Sequence, residues 1–392
     1  MALDFSAKYF GLRYFEYHID RPLLLSVLAL ISIGLVMIAS ASFSFAEHRY
    51  GNELYFVKRH LAYLLVGAAA MLAGFFVAPT VWARYGRLWI LLSILLLALV
   101  LIPAIGREVN GARRWLSLAG FTLQVSELVK VATVVFLASH LQQHRETLSV
   151  NPAEFGKLLG VVSLLSLLLI LQPDFGSVVV LVATFMAMVF LGGTNLRQYL
   201  LVVLVGFLLL YWMAESAPYR LARLTTFLDP WTEKYDSGYQ LVQSLIAFGR
   251  GGWFGVGLGQ SVQKMLYLPE AHTDFVFAIF AEEFGFVGVL VLLGLYITMV
   301  LRVFQLAKMA ITQKYWYGAY ILVGFGLLIS GQTFINLGVN AGLLPTKGLT
   351  LPFVSYGGSS LMVCCAMVGM MLRIGHEIRS PQQPSRRTRY VR

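Results

Sequence analysis

The chain has 392 residues, 58% of them hydrophobic and only 12% charged, with a formal net charge of +11. A soluble domain carries about twice that charged fraction, so a water-soluble globular protein is excluded. The basic excess gathers beside apolar runs and in the tail rather than in a polar domain, which suits anionic lipid headgroups and speaks against nucleic acid.

Residues 1–21 form a short lead with Tyr, Phe and Arg, expected to lie at the interface. Spanning the hydrocarbon takes roughly 20 apolar residues per helix. Runs of that length place ten helices at 22–46, 56–77, 84–105, 122–141, 157–172, 176–193, 198–214, 274–301, 315–338 and 354–375. Ala39-Ser40-Ala41 resembles a cleavage site, but the apolar stretch before it is too long for a signal peptide, so the first helix is expected to stay as an anchor. The fifth and sixth runs abut at Gln172-Pro173-Asp174-Phe175-Gly176, a proline-broken turn.

The expected fold class is an all-α polytopic membrane protein with ten transmembrane helices and both termini cytoplasmic. That orientation follows from Lys and Arg near helix ends. It gives the inner face Arg84, Arg87, Arg302, Lys308 and the tail, and the outer face Arg113, Arg114, Arg250, Lys264 and Lys347. The inner face wins by a small margin, and the outer cations call for an anionic ligand.

The domain reading is a cytoplasmic segment at 1–21, a transmembrane domain at 22–375 and a basic tail at 376–392, the last too polar to pack. One large extracytoplasmic loop, 215–273, separates helices 7 and 8. Loops of that length are usually functional. Within it, 239–248 reads as a short amphipathic helix lying on the membrane. The glycine series Gly249 to Gly259 is either a set of tight turns or a loop that admits a ligand to the backbone. It lacks the strand and the Lys-Ser/Thr of a nucleotide loop.

The polar groups that interrupt apolar sequence are the candidate site. Asp274 stands directly ahead of the eighth run, with Glu270, His272 and Thr273 just before it. A carboxylate at a membrane boundary is costly to desolvate, and such a cluster can tune it to take a proton. His272 is expected to orient Asp274 or share its proton. Glu127 and Lys130 lie three apart on one face of the fourth helix, either as a structural ion pair or as the polar wall of a cavity. Arg113 and Arg114 are either interfacial anchors or, with Lys347, the cations that hold a diphosphate. The segment 343–360 is too rich in Gly, Pro and polar residues for a regular spanning helix, so it belongs beside a cavity.

Cys364 and Cys365 are adjacent and point apart, so neither a disulfide nor a metal site is expected of them. His48, His60, His140, His144 and His376 lie near helix ends and suggest no ligand set. No cofactor is evident, and a divalent-cation requirement is left open.

Four segments resemble the SEDS family of peptidoglycan polymerases. They are Asn110-Gly-Ala-Arg-Arg-Trp with Gln124-Val-Ser-Glu-Leu-Val-Lys; Gln172-Pro-Asp-Phe-Gly; Tyr267-Leu-Pro-Glu-Ala-His-Thr-Asp-Phe; and Leu344-Pro-Thr-Lys-Gly with Ser355-Tyr-Gly-Gly-Ser-Ser. The resemblance runs from Asp20 to Gly375. Glu270-Ala271-His272 and Pro345-Thr346-Lys347-Gly348 are similar to the family's division member rather than its elongation member.

The resemblance implies glycosyl transfer from lipid-linked glycan to lipid II on the outer face of the bacterial cytoplasmic membrane, at the division septum. It implies that Asp274 is the essential aspartate, that Glu127 and Lys130 line the cavity with Gln124 close by, and that a class B penicillin-binding protein and other divisome proteins are partners. The chemistry is compatible. A lipid diphosphate leaves readily and needs cations, and the attacking sugar hydroxyl needs one base rather than a carboxylate pair. A lipid II flippase and a non-catalytic division scaffold are the alternatives. A flippase would want polar groups along a through-path, and a scaffold would not need charges at costly depths.

Overall fold

The computed structural model describes residues 18–109, 111–118, 121–215, 227, 229–236, 238–346 and 348–380. Helix α1 (Arg21–Tyr50) starts at Asp20, whose carboxylate accepts from Leu23 N, and stops at Gly51, which takes the left-handed conformation. Then come α2 (Tyr55–Phe76), α3 (Pro79–Arg84) and α4 (Gly86–Leu101).

Here the structure departs from the all-α expectation. Strands β1 (Gly106–Val109), β2 (Ala112–Leu118) and β3 (Phe121–Gln124) form an antiparallel sheet in the order β1-β2-β3. The third apolar run therefore ends earlier than expected, and the fourth helix starts later. Arg107, Glu108, Arg113 and Arg114 are too costly for hydrocarbon. Strand pairing satisfies the backbone there without burying these charges in lipid.

Helix α5 (Val125–Gln143) follows, then α6 (Pro152–Leu171), α7 (Phe175–Leu191), α8 (Leu196–Glu215) and α9 (Tyr239–Gly251). The chain continues through α10 (Val276–Thr312), α11 (Trp316–Asn340) and α12 (Gly358–Arg379). Seven of the described helices are long and apolar enough to cross a membrane: α1, α2, α5, α6, α10, α11 and α12. Three shorter apolar segments lie in α4, α7 and α8. The chain is an integral membrane protein.

The described start and end of the chain meet. His18 N donates to His376 Nδ1 at 3.1 Å. Asp20, fully buried, pairs with Arg302 at 2.8 Å and also with Arg379. Helices α2 and α12 pack side by side, and a Cβ placed on Gly369 would strike Met71 O, so the approach requires glycine.

Helix α9 forms where amphipathicity predicted it, but Leu241, Val242 and Ala247 are buried and the helix packs on α10 and α11. Its apolar face meets protein, not the lipid surface expected of it.

The glycine series after α9 resolves as tight turns, with positive φ at Gly252, Gly255, Gly257 and Gly259. These turns seat the loop on α10 where that helix breaks, at Gly285 (φ 65°). Val256 N and Gly257 N donate to Glu282 O and Glu283 O at 3.0 and 3.1 Å, and Phe286 N donates to Gly252 O at 2.9 Å, so the broken helix leaves these groups paired. Two buried carboxylates lock the junction. Glu282 accepts from Ser261 Oγ (2.5 Å), Val262 N (3.1 Å) and Arg250 (3.3 Å). Glu283 pairs with Lys264 at 2.8 Å and accepts from Ser40 of α1 at 2.7 Å. Lys264, counted among the outer cations, is thus a buried structural partner.

Candidate functional site

Asp274 closes a turn that starts at Glu270, which holds a left-handed conformation (φ 56°). Glu270 O accepts from Thr273 N (3.1 Å) and Asp274 N (3.2 Å), and Thr273 Oγ1 donates to Glu270 Oε2 at 2.7 Å. The turn delivers Asp274 two residues ahead of α10. Its own carbonyl is gripped by Asn336 and Asn340 of α11, each donating from Nδ2 at 2.9 Å. Asn336 Nδ2 also donates to Leu349 O at 2.5 Å, which ties in the loop before α12. That loop brings Gly348 against the carboxylate: a Cβ there would stand 2.7 Å from Asp274 Oδ2. Glycine keeps the space in front of the acid open.

Arg114 faces this site from β2. Its Nε donates to Gln172 O at 3.0 Å and its Nη2 to Pro173 O at 2.6 Å, while Nη1 lies 3.8 Å from Asp174 Oδ1. Asp174 caps α7, accepting from Ser177 N (3.3 Å) and Ser177 Oγ (2.9 Å). Gln124, the last residue of β3, reaches Asp174 Oδ2 from Nε2 at 3.5 Å, and its backbone N donates to Ser359 Oγ of α12 at 2.8 Å. The proline-broken turn, the sheet and the turn before α10 therefore converge.

Burial pushes the Asp274 carboxyl up to about 7; Glu270 adds to the rise, Arg114 opposes it and Asp174 adds to it. A helix N-terminus and nearby cations would by themselves keep this group ionised. Desolvation and two neighbouring carboxylates outweigh the single guanidinium. A carboxyl near 7 is matched to general-base work at neutral pH.

His272 does not fill the role expected of it. Its ring packs among Phe56 (4.5 Å between centroids), Phe45 (5.2 Å) and Tyr356 (5.8 Å), and burial pushes its pKa down, more than Glu270 raises it. The histidine props the turn: its carbonyl accepts from Tyr356 N at 2.9 Å.

Arg113 also parts from Arg114. Consecutive strand residues face opposite ways, and Arg113 pairs with its cross-strand neighbour Glu108 at 3.0 Å, both partly exposed. Lys347 lies outside the described residues.

Glu127 and Lys130 are buried, at 5% and 3% exposure, and bonded to each other at 2.8 Å. Lys130 Nζ also donates to Gln332 Oε1 of α11 at 2.7 Å, and Gln332 Nε2 donates to Thr350 O at 3.0 Å. The pair borders a cavity of only about 10 Å³, so it lines no open chamber in this conformation. It joins the Asp274 site through α11, where Gln332, Asn336 and Asn340 fall at i, i+4 and i+8 on one face. That polar stripe and Asp174 were not assigned from sequence. The four-residue spacing of amides in an apolar run was the available signal.

Fold and site together define a helical membrane protein with a carboxyl-centred polar site at one end of its bundle. The sequence profile of the FtsW, RodA and SpoVE family, described as cell cycle proteins, matches residues 21–380. The chain belongs to that family. It is 47% identical over 365 residues to the "Probable peptidoglycan glycosyltransferase FtsW" of Saccharophagus degradans, covering 93% of this chain and 94% of the relative. Identity to the protein of the same name in Hahella chejuensis is 49% over 371 residues, covering 93% and 92%. A chain solved in work on the structural coordination of polymerization and crosslinking by a peptidoglycan synthase complex superposes with TM-score 0.77 at 29% identity, covering 94% of this chain and 100% of that one. The Thermus thermophilus rod shape determining protein RodA superposes with TM-score 0.69 at 29% identity, covering 94% and 99%.

Proposed function

We infer that the chain is a peptidoglycan glycosyltransferase of the FtsW type. It polymerises lipid II into glycan strands on the outer face of the cytoplasmic membrane, at the division septum. The observation that carries the site assignment is Asp274: a half-buried carboxyl, held near 7 by burial, with Arg114 across from it and a glycine clearing the space before it. Asp274 takes the proton of the acceptor sugar's 4-hydroxyl as that oxygen bonds to the anomeric carbon of the donor. The bond from that carbon to the lipid diphosphate breaks, and the diphosphate leaves with its electron pair. Arg114 meets the charge on the departing phosphate oxygens, with Lys347 as a second cation.

Ten crossings with both termini inside fit two features. Each of the ten apolar runs has a helix, and the start of α1 meets the end of α12 at Asp20 and Arg379, which calls for an even number of crossings. The likeness to a synthase-complex chain supports a class B penicillin-binding protein as the crosslinking partner.

The test is chain formation from labelled lipid II by purified protein with its transpeptidase. Asp274→Asn should insert, bind its partner and lose polymerisation by a factor of about 10²–10⁴, the usual cost of a missing general base. Near-normal polymer from Asp274→Asn would overturn the assignment and favour the flippase or scaffold reading.

A further inference from the structure

We propose that His140, His144 and Glu154 form a binding site for a divalent transition metal of the zinc type. Along α5, His140 lies 13 residues beyond Glu127, about 20 Å at 1.5 Å per residue. The site is therefore separate from the polar groups around Asp274.

His140 sits in the last turn of α5, His144 is the residue that ends it, and Glu154 lies in the first turn of α6. His140 and His144 stand four residues apart at the end of the helix, but the carboxylate joins them only when the α5–α6 turn folds back. One ligand atom from each of the three residues lies within 4.8 Å of the others, and they are the sole such group among the described residues.

His140 Nε2 is 3.2 Å and His144 Nε2 3.5 Å from the same oxygen, Glu154 Oε2. Ligands about 2.0–2.1 Å from a tetrahedral zinc stand roughly 3.3–3.4 Å apart. His140 and Glu154 side chains are each only 10% exposed. Yet neither His140 Nε2 nor Glu154 Oε2 has a hydrogen-bond partner. A buried nitrogen and a buried carboxylate oxygen at that separation, with no hydrogen bond between them, suit a cation held by both.

The surroundings fit a ligand set. His144 Nδ1 lies 3.2 Å from His140 O, and donation there leaves Nε2 with its lone pair toward the site. Lys157 Nζ binds the other oxygen, Glu154 Oε1, at 2.7 Å, which orients the carboxylate and leaves Oε2 free. Lys157 and Arg87 disfavour a cation by charge, but the Lys157 side chain is 64% exposed and well screened. A polar cavity of about 180 Å³ borders His140 together with Arg84, Arg87, Ser139 and Gln143, and does not reach His144 or Glu154. Two imidazoles and one carboxylate suit zinc or cobalt over magnesium or calcium. A bound ion would clip α5 to α6.

The experiment uses the full chain, without a histidine tag, in detergent or nanodiscs. Titration with Zn²⁺ should show one ion per chain and a rise in melting temperature, and Co²⁺ should give visible d–d absorption. His144→Gln and Glu154→Gln should each weaken binding by at least about tenfold and remove the melting shift. A readout without substitution is carbethoxylation of His144, which Zn²⁺ should block in the wild-type protein. Absence of saturable binding and of that protection, or undiminished binding by both variants, would overturn the site.

Discussion

A carboxyl titrating near 7 changes charge in the range where a cell-wall enzyme works, and at Asp274 burial is the main cause. As a general base it must be ionised, so polymerisation should fall about tenfold per pH unit below 7 and level off above it, read from initial rates across pH. Stability should move the opposite way. The folded pKa of about 7 exceeds the ordinary aspartate value of 3.8, so between them the folded state binds more protons and stability falls as pH rises. Asp274→Asn should melt above wild type near pH 8 and show no such advantage near pH 4. The two arginines of β2 make a second contrast. Arg114→Gln should weaken use of lipid II by about 1.5–3 kcal/mol, roughly tenfold to a hundredfold in kcat/KM. Arg113→Gln breaks an exposed pair with Glu108 and should cost within about 1 kcal/mol of stability, with lipid II use unchanged.

At the scale of elements, α11 is the spine of the site. Gln332 meets the buried Lys130 of α5, Asn336 and Asn340 hold the Asp274 turn, and Gln332 and Asn336 also bind the 349–350 backbone. Glu127→Gln leaves Lys130 buried without its counter-ion and should destabilise the protein by about 3–5 kcal/mol in thermal or denaturant unfolding. Adding Lys130→Met should restore stability. Polymerisation by the double variant should stay slow, because the link from α5 to the α11 amides is gone. Full recovery of both would make the pair purely structural. The break at Gly285 serves the same site from the other side, since it lets the glycine loop dock and fixes where α10 begins its span.

For the whole molecule, the meeting of Asp20 with Arg302 and Arg379 sets both described ends on one side. On the orientation proposed from the charge bias, that side is cytoplasmic and 215–273 lies outside. A cysteine at Tyr235, which is 86% exposed, should react with a membrane-impermeant thiol reagent when only the outer barrier is permeabilised, in a background lacking Cys364 and Cys365. Labelling that appears only after lysis of the inner membrane would reverse the orientation and the face assigned to the chemistry.

The sequence by itself determined the ten apolar runs, because a stretch of consecutive apolar residues is a local property. It also marked Asp274, Glu127, Lys130 and Arg114, since charge among apolar neighbours is conspicuous without coordinates. Tertiary structure decided the rest. The sheet at 106–124 was hidden because its strands are short, charged and without clean alternation. Arg113 and Arg114 separated only once a strand gave them opposite faces. His272 became a prop rather than a proton partner because Phe45, Phe56 and Tyr356 come from three distant segments. The direction of the Asp274 shift and the gathering of His140, His144 and Glu154 have the same origin: desolvation and ligand geometry belong to groups brought together in space, and no local window of sequence holds them.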